Sequence, residues 1–126
     1  MIVAGFGFRA QAQPESLRDA LAQACQGRRV TQLATAQDKA ATATFATFAR
    51  AETLPARAIP PEALCAQTTA TCSARVLAER GTGSVAEAAA LAAAGPGARL
   101  LGPRVFSSDR MASCALAMQD HQGQDT

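Results

Sequence analysis

Histidine, tryptophan and tyrosine are nearly missing from this sequence. Tryptophan and tyrosine do not occur, and the single histidine, His121, falls in a polar tail. With so little histidine, no Ser-His-Asp or Cys-His arrangement can be assembled, and no pair of carboxylates is spaced for acid/base chemistry. A hydrolase built from this sequence would have to act without a histidine.

The cysteines lack the spacing of a metal site. Cys25, Cys65, Cys72 and Cys114 contain no C-x-x-C pair, so neither a zinc site nor any other cofactor is expected. The first ten residues have no basic start and too short an apolar run for a signal peptide. These features favour a cytoplasmic protein with free thiols; the alternative is a secreted chain with two disulfides.

Neither sign of charge is in large excess. Twelve Lys and Arg side chains stand against ten Asp and Glu, a net charge of +2, which is too small and scattered for a nucleic-acid surface. No apolar stretch reaches the roughly 20 residues of a membrane span. We therefore expect neither nucleic acid nor membrane as a partner. Eleven of the twelve cations are Arg, which suits two-pronged contacts with the carboxylate or phosphate of a small anionic ligand.

Five apolar segments have the pattern of β-strands. The first, IVAGF, is a short continuous run that ends at glycine, which is typical of a buried strand. The last two are expected to form a hairpin. The five segments are residues 2–6, 30–35, 56–59, 98–101 and 111–118.

Helical patterns lie between these strands. Pro14 suits the first position of an amphipathic helix, and Asp38 and Ser73 can each cap a further one. The alternation predicts a single-domain three-layer α/β/α sandwich with a mixed, mostly parallel sheet of about five strands. The domain is expected to span residues 1–118 and to be followed by a disordered polar tail over 119–126.

Residues 81–95, GTGSVAEAAALAAAG, form a helix with almost no large side chains. Alanine is the best helix former, but a surface helix normally has distinct polar and bulky apolar faces. Ser84 followed three residues later by Glu87 predicts a capping box, so Glu87 is expected to be a cap rather than a general acid. A helix with small residues on all sides can lie close to a sheet while other elements contact it too.

The stretch GFGFRA, residues 5–10, is the first candidate site. It formally satisfies the G-x-G-x-x-G/A dinucleotide fingerprint, with Asp38 as the ribose acceptor. Three residues nevertheless separate it from the helix start at Pro14, where the pyrophosphate would bind. The stretch can also be a turn that requires positive φ, or a loop whose backbone N–H groups and Arg9 hold a ligand carboxylate.

Three further groups have the chemistry of an anion site. The glycines before the alanine helix would let a ligand approach the free N–H donors of the helix start, unless the cap satisfies them. Lys39, the only lysine, follows the second strand, where α/β sheets gather ligand-binding residues; a solvated lysine is the alternative. Arg104 with Ser107, Ser108 and Arg110 forms either a polar hairpin tip or part of a carboxylate clamp.

These segments together resemble a known family. GTGSVAEAAALAAAG followed by ARLLGPRVFSSDRMASCALA is similar to the signature end of the CobE family and of the C-terminal domain of CbiG, both from cobalamin biosynthesis. That family has a strand leading into G-x-G-x-R, a Lys after the second strand, a Ser-led helix, and G-x-x-S-V-A-E-A-A-A-L. Here these elements are residues 5–9, Lys39, Ser73 and residues 81–91. The resemblance spans nearly the whole chain.

The resemblance implies a protein that binds a corrin-ring precursor, such as a precorrin or a ligand like hydrogenobyrinic acid. These anionic tetrapyrroles are fringed with acetate and propionate groups, which Arg forks and backbone N–H groups would bind while apolar side chains support the ring. It also implies a carrier or accessory role, with other cobalamin-pathway enzymes as partners. The ligand-binding positions that follow are Gly5, Phe6, Gly7, Arg9, Lys39, Ser73, Gly83, Ser84, Val85 and Arg104.

Two alternatives stay open. CbiG relatives resemble hydrolases that open a ring lactone and release acetaldehyde, so the same cleft could assist hydrolysis or rearrangement of a precorrin, with catalytic residues not identified. Alanines follow Lys39 where the family tends to place acidic residues, which weakens an acid/base role and leaves carboxylate binding intact. The third hypothesis is a nucleotide-binding module.

Overall fold

The computed structural model describes residues 1–119. The tail predicted over 119–126 lies outside the described residues, except for Gln119, which ends the last strand. The strands are β1 (Ile2–Phe8), β2 (Gln32–Ala36), β3 (Ala56–Ile59), β4 (Ala98–Leu100), β5 (Val105–Phe106) and β6 (Ala112–Gln119). The helices are α1 (Pro14–Cys25), α2 (Gln37–Ala40), α3 (Ala43–Glu52), α4 (Pro61–Cys65), α5 (Ala74–Arg80) and α6 (Val85–Ala94).

The strands form one mixed sheet in the order β3-β2-β1-β6-β4, with β5 paired to β6. Strands β1, β2 and β3 are parallel to one another, whereas β6 runs antiparallel to β1, β4 and β5. Within residues 1–119, five strands therefore point one way and β6 points the other. The predicted mixed, mostly parallel sheet is confirmed, and the short β5 makes it one strand larger than expected. The predicted antiparallel pairing of the last two apolar segments is the β4–β6 pair.

Helices cover both faces of the sheet, which confirms the predicted α/β sandwich. Helices α1 and α3 pack on one face around a cluster of aromatic side chains. The rings of Phe45 and Phe48 lie 6.2 and 5.1 Å from the ring of Phe6, in edge-to-face geometry. All three are buried, and each stabilises the fold by roughly 2–3 kcal/mol.

The alanine helix α6 covers the other face. Eight of its ten residues are buried, and it packs against β1, β2 and β6 and against helix α4. Its neighbours in β1 are Val3, Gly5 and Gly7, because side chains alternate between the two faces of a strand. Contacts on so many sides explain why seven of its ten residues are alanine, as the sequence predicts.

The helix caps correct one expectation. The helix expected to begin at Asp38 is divided in two, and Thr42 caps α3 by accepting a hydrogen bond from the Phe45 N–H at 3.4 Å. Asp38 lies inside the short α2 instead and binds Arg80. Ser73 caps α5 as predicted, accepting from Val76 N–H.

No helix within residues 1–119 is long and apolar enough to cross a membrane. The same residues contain no group of three or more His, Cys, Asp or Glu side chains that could hold a metal ion.

Candidate functional site

A cleft of about 570 Å³ opens where β1 ends. Its walls are the loop after β1, helix α5, the start of α6, and the segment from β5 through the turn to β6. Parallel α/β sheets commonly bind ligands beyond the carboxyl ends of their strands, which is where this cleft lies. Seven of the ten predicted site residues line it: Gly7, Arg9, Lys39, Ser73, Ser84, Val85 and Arg104.

The other three predicted site residues do not line the cleft and have packing roles instead. Phe6 points to the opposite face of the sheet and is 0% exposed. Gly5 lies under α6, where its main chain contacts that of Ala86. Gly83 is buried against the 69–72 loop, and its carbonyl oxygen accepts a hydrogen bond from Ser73 N–H at 2.8 Å. No ligand can reach these positions without displacing the protein itself.

Six cations of the described residues line the cleft, and two of them are paired with carboxylates. Arg80 makes a two-pronged bond to Asp38, at 2.6 and 2.9 Å, and Arg75 lies 3.7 Å from Glu79. The Arg80 bond lowers the pKa of Asp38 and raises that of the arginine. Among residues 1–119, no carboxylate lies within 4.0 Å of the other four cations, which are Arg9, Lys39, Arg104 and Arg110.

Aromatic rings support three of these four unpaired cations. The Lys39 ammonium lies 5.0 Å from the centre of the Phe8 ring. The guanidinium carbons of Arg104 and Arg110 lie 5.2 and 4.5 Å from the centre of Phe106. Cation–π attraction of this kind fixes the direction of a charge without neutralising it. The sequence did not predict that Phe106 or the two arginines of α5, Arg75 and Arg80, would line the cleft. The stretch RVF, which follows Gly102-Pro103, places Phe106 two residues after a predicted site residue and could have indicated it.

The start of α6 supplies backbone donors to the cleft. Ser84 caps the helix, and its hydroxyl accepts from Glu87 N–H at 3.3 Å, which confirms this half of the predicted box. The first two amides, those of Val85 and Ala86, have no acceptor within a regular helix. A Cβ atom on Gly7 would be only 3.6 Å from Ala86 N. A side chain at Gly7 would therefore crowd the helix start, where Val85 lines the cleft and Ala86 is buried.

The Glu87 carboxylate does not complete the capping box. It is 0% exposed and accepts hydrogen bonds from the main-chain N–H of Thr71 (2.8 Å), the Thr71 hydroxyl (3.0 Å) and Arg104 N–H (2.8 Å). The expectation that Glu87 bonds back to the helix start is corrected. Its carboxylate instead joins the loops that carry Thr71 and Arg104, because both loops direct main-chain N–H donors at the first turn of α6.

A second carboxylate fixes the turn at the other side of the cleft. Asp109 accepts from the hydroxyls of Ser107 and Ser16 and from Met111 N–H. These bonds lower its pKa, with Ser107 the largest cause. Arg110, the next residue, has φ of +60°, a conformation that non-glycine residues adopt rarely. The turn that carries Arg110 is therefore held in one shape.

The charges of this cleft have the chemistry of an anion site. Among residues 1–119, Glu79 is the one carboxylate that lines the cleft, and it faces Arg75. The start of α1, which a dinucleotide would need, is absent from the cleft lining. A capping box between Gln13 and Ser16 occupies donors at that helix start instead.

Comparisons with known proteins give a consistent family. The family model described as cobalamin synthesis G C-terminus matches residues 2–117. A solved structure of CobE, a protein from the cobalamin (vitamin B12) biosynthetic pathway, is 36% identical with a TM-score of 0.83, over 93% of this chain and 89% of that one. The cobalamin biosynthesis protein chiG from Agrobacterium tumefaciens is 34% identical with a TM-score of 0.75, over 96% of this chain and 100% of that one.

A more distant structure has the same fold. It is a cobalamin biosynthesis protein G homolog from Sulfolobus solfataricus, 18% identical with a TM-score of 0.69, over 94% of this chain and 37% of that one. No curated protein sequence matches the chain.

Proposed function

The chain belongs to the cobalamin synthesis G C-terminus family and serves cobalamin biosynthesis, and we propose that it binds a polycarboxylate corrin-ring precursor in its cleft. It acts as a carrier or accessory factor that holds the precursor for another enzyme of the pathway.

The observation that supports this proposal most directly is the set of four unpaired cations around one cleft. Like charges repel, and within residues 1–119 no carboxylate lies within 4.0 Å of the charged groups of these four side chains. A ligand that supplies several negative charges would offset this repulsion. A corrin precursor carries acetate and propionate groups around its rim. Its charges can therefore meet several of these cations at once.

The apolar parts of the cleft suit the ring of such a ligand. Phe8 and Phe106 lie beneath cations, so each offers an aromatic surface next to a positive charge. Val76, Val85 and Met111 add aliphatic surface between them. Pockets that bind small molecules usually combine an apolar lining with a few fixed polar groups. A flat macrocycle with an anionic fringe has the complementary distribution.

The carrier role is favoured over catalysis by the titratable groups of the cleft. Hydrolysis of a lactone needs a general base within hydrogen-bond reach of a water. In the part of the chain that the structure describes, Glu79 is the only carboxylate of the lining and is opposed by Arg75. Arginines remain charged at physiological pH and cannot accept a proton. Binding with release to a partner enzyme needs no such base.

A titration with hydrogenobyrinic acid, followed by its absorbance spectrum, tests the proposal. We expect a saturable spectral change that weakens as salt is added, because the contacts are mainly ionic. A corrin whose side chains are amides should bind far more weakly and serves as the matched control. The mass of recovered precursors, including precorrins, distinguishes a carrier from an enzyme, since a carrier returns them unaltered. Equal affinity for the acid and the amide, or no spectral change with either, would contradict the proposal.

A further inference from the structure

We propose that Arg104 and Arg110, both placed over Phe106, form a subsite for one carboxylate arm of the ligand, and that the buried Glu87 is a positioning residue for Arg104. This inference rests on the proposed function and deepens it, because it identifies where in the cleft the tightest ionic contact forms.

The two arginines share one ring as their support. Their guanidinium carbons lie 5.2 and 4.5 Å from the centre of Phe106, and both residues line the cleft. Two cations near one ring repel each other, and the ring offsets only part of this repulsion. A carboxylate placed against both would remove it. Arginine is also the side chain best suited to bind a carboxylate with two parallel hydrogen bonds.

Glu87 holds Arg104 without neutralising it directly. The carboxylate accepts from Arg104 N–H and from the Thr71 hydroxyl, and that hydroxyl in turn accepts from the Arg104 guanidinium. One of the five N–H donors of the guanidinium is therefore used, and the others remain for a ligand. The fully buried anion fixes both the main chain and the head group of Arg104, which reduces the entropy that binding would cost.

Asp109 holds the turn that carries Arg110 in the same way. Its carboxylate bonds to Ser107, Ser16 and Met111 rather than to the arginine that follows it. A further bond ties the same turn to α1, where Asp19 accepts from Ser108 N–H at 2.6 Å. Each arginine of the subsite is thus carried by a loop that a carboxylate anchors, while its charge stays available.

The two arginines of α5 differ in this respect. The guanidinium of Arg80 is bonded to both oxygens of Asp38, and Arg75 lies beside Glu79. A ligand carboxylate must compete with these partners. The cleft is therefore electrically asymmetric, with a weaker attraction for an anion along α5 than at the Phe106 end.

Nuclear magnetic resonance of ¹⁵N-labelled protein titrated with glutarate tests the subsite without a corrin. We expect the Nε–Hε signals of Arg104 and Arg110 to shift together along one saturation curve, with smaller shifts for Arg75 and Arg80. Shifts that are equal at all four arginines, or larger at Arg80, would overturn the subsite. So would the absence of any shift at Arg104 and Arg110.

Variants test the positioning role of Glu87. Arg104→Lys keeps the charge but loses the fork, and should weaken glutarate binding about tenfold, whereas Arg75→Lys should change it less than twofold. Glu87→Gln should weaken binding to a similar extent as Arg104→Lys. Thr71→Val removes the hydroxyl that connects Glu87 to the Arg104 guanidinium, at a partly exposed position. It replaces Glu87→Gln in this test if that variant does not fold.

The double variant Thr71→Val with Arg104→Lys separates positioning from general damage. If Thr71 acts through Arg104, the double variant should bind no more weakly than Arg104→Lys alone; effects that multiply would overturn the positioning role. The proposed function fails separately. If glutarate shifts the signals of Arg104 and Arg110 but hydrogenobyrinic acid does not bind, the subsite stands and the corrin proposal is wrong. If hydrogenobyrinic acid binds and its affinity is unaffected by Arg104→Lys and Arg110→Lys, the corrin proposal stands and the subsite is wrong.

Discussion

The main chain of Gly5 in β1 is in direct contact with that of Ala86 in α6. A Cβ atom built on Gly5 would lie 2.1 Å from the carbonyl oxygen of Ala86, a distance that real Cβ atoms do not show. Helix and strand therefore meet with no side chain between them. This close approach brings the start of α6 to the edge of the cleft, so a packing feature determines where the backbone donors lie.

We expect Gly5→Ala to lower the free energy of unfolding by more than about 3 kcal/mol, because the methyl group meets backbone atoms that cannot move aside. The second such atom is Ala90 N, 2.5 Å from the added Cβ. Gly102→Ala is the control, since a Cβ there meets nothing within 4 Å and should change stability by less than about 0.5 kcal/mol. Urea denaturation measures both. Similar midpoints for the two variants would show that α6 does not lie this close to β1.

Arg9→Ala and Lys39→Ala should each weaken binding of hydrogenobyrinic acid by about tenfold while the Tm changes little. Arg9 is exposed, and the contact of Lys39 with Phe8 is worth about 0.5–1 kcal/mol. Arg57→Ala removes an exposed charge on β3, away from the cleft lining, and is the matched control. Absorbance titrations and thermal melts give the two quantities. Unchanged affinity in both cleft variants would remove this cleft from consideration.

Ser84→Ala should lower the free energy of unfolding by about 1 kcal/mol through loss of the α6 cap. Its hydroxyl accepts from Glu87 N–H in the interior. Ser73→Ala removes the cap of α5, a helix with no buried residues, and should cost less. Chemical denaturation of the two variants in parallel provides the comparison. A larger loss for Ser73→Ala would contradict this ranking of the two caps.

The stability of the protein should fall in acid partly through Asp109. Its hydrogen bonds hold the pKa of the carboxyl below the ordinary value of 3.8. The folded state therefore binds this proton less tightly than the unfolded state, and the stabilisation is complete above pH 3.8 and is lost as the pH falls through the lower, folded-state pKa.

Asp109→Asn removes this titration, so its Tm should depend less on pH across the acid range than that of the native protein. Glu62→Gln, which removes one exposed carboxylate at the start of α4, is the control and should retain the native dependence. Thermal melts at a series of acid pH values measure the slopes. Parallel slopes for the native protein and Asp109→Asn would show that Asp109 does not titrate with folding.

The fold follows from local signals that the sequence states clearly. Pro14 begins α1, Ser73 and Gly81 bound α5, and residues 56–59 form the third strand as expected. Each signal depends only on a few neighbouring residues, so it can be read from the sequence without knowing the tertiary structure. The cap at Thr42 was missed because Asp38 is an equally good cap by type, and only the bond between Asp38 and Arg80 decides between them.

The candidate site was predictable only in part. Arg9 and Arg104 come from loops and Lys39 from the short α2, which the sheet topology brings together, and the family resemblance pointed to all three. Phe6 was misplaced because the alternation of β1 decides which residues of GFGF face the helix α6, and a run of apolar residues does not reveal that face. Glu87 has the correct spacing for a capping box, but no local pattern shows that Thr71 and Arg104 compete for its oxygens.

The position of β6 has a consequence for how the chain is made. This strand is the last of the described elements in sequence, yet it lies between β1 and β4 and contacts β5 as well. During synthesis on the ribosome, β1, β2 and β3 can pair with one another before β6 is made. Strands β4 and β5 have no strand to pair with until β6 follows. The arginines at the Phe106 turn therefore come together with Arg9 only when residues 112–119 emerge, so the proposed site is complete only in the finished domain.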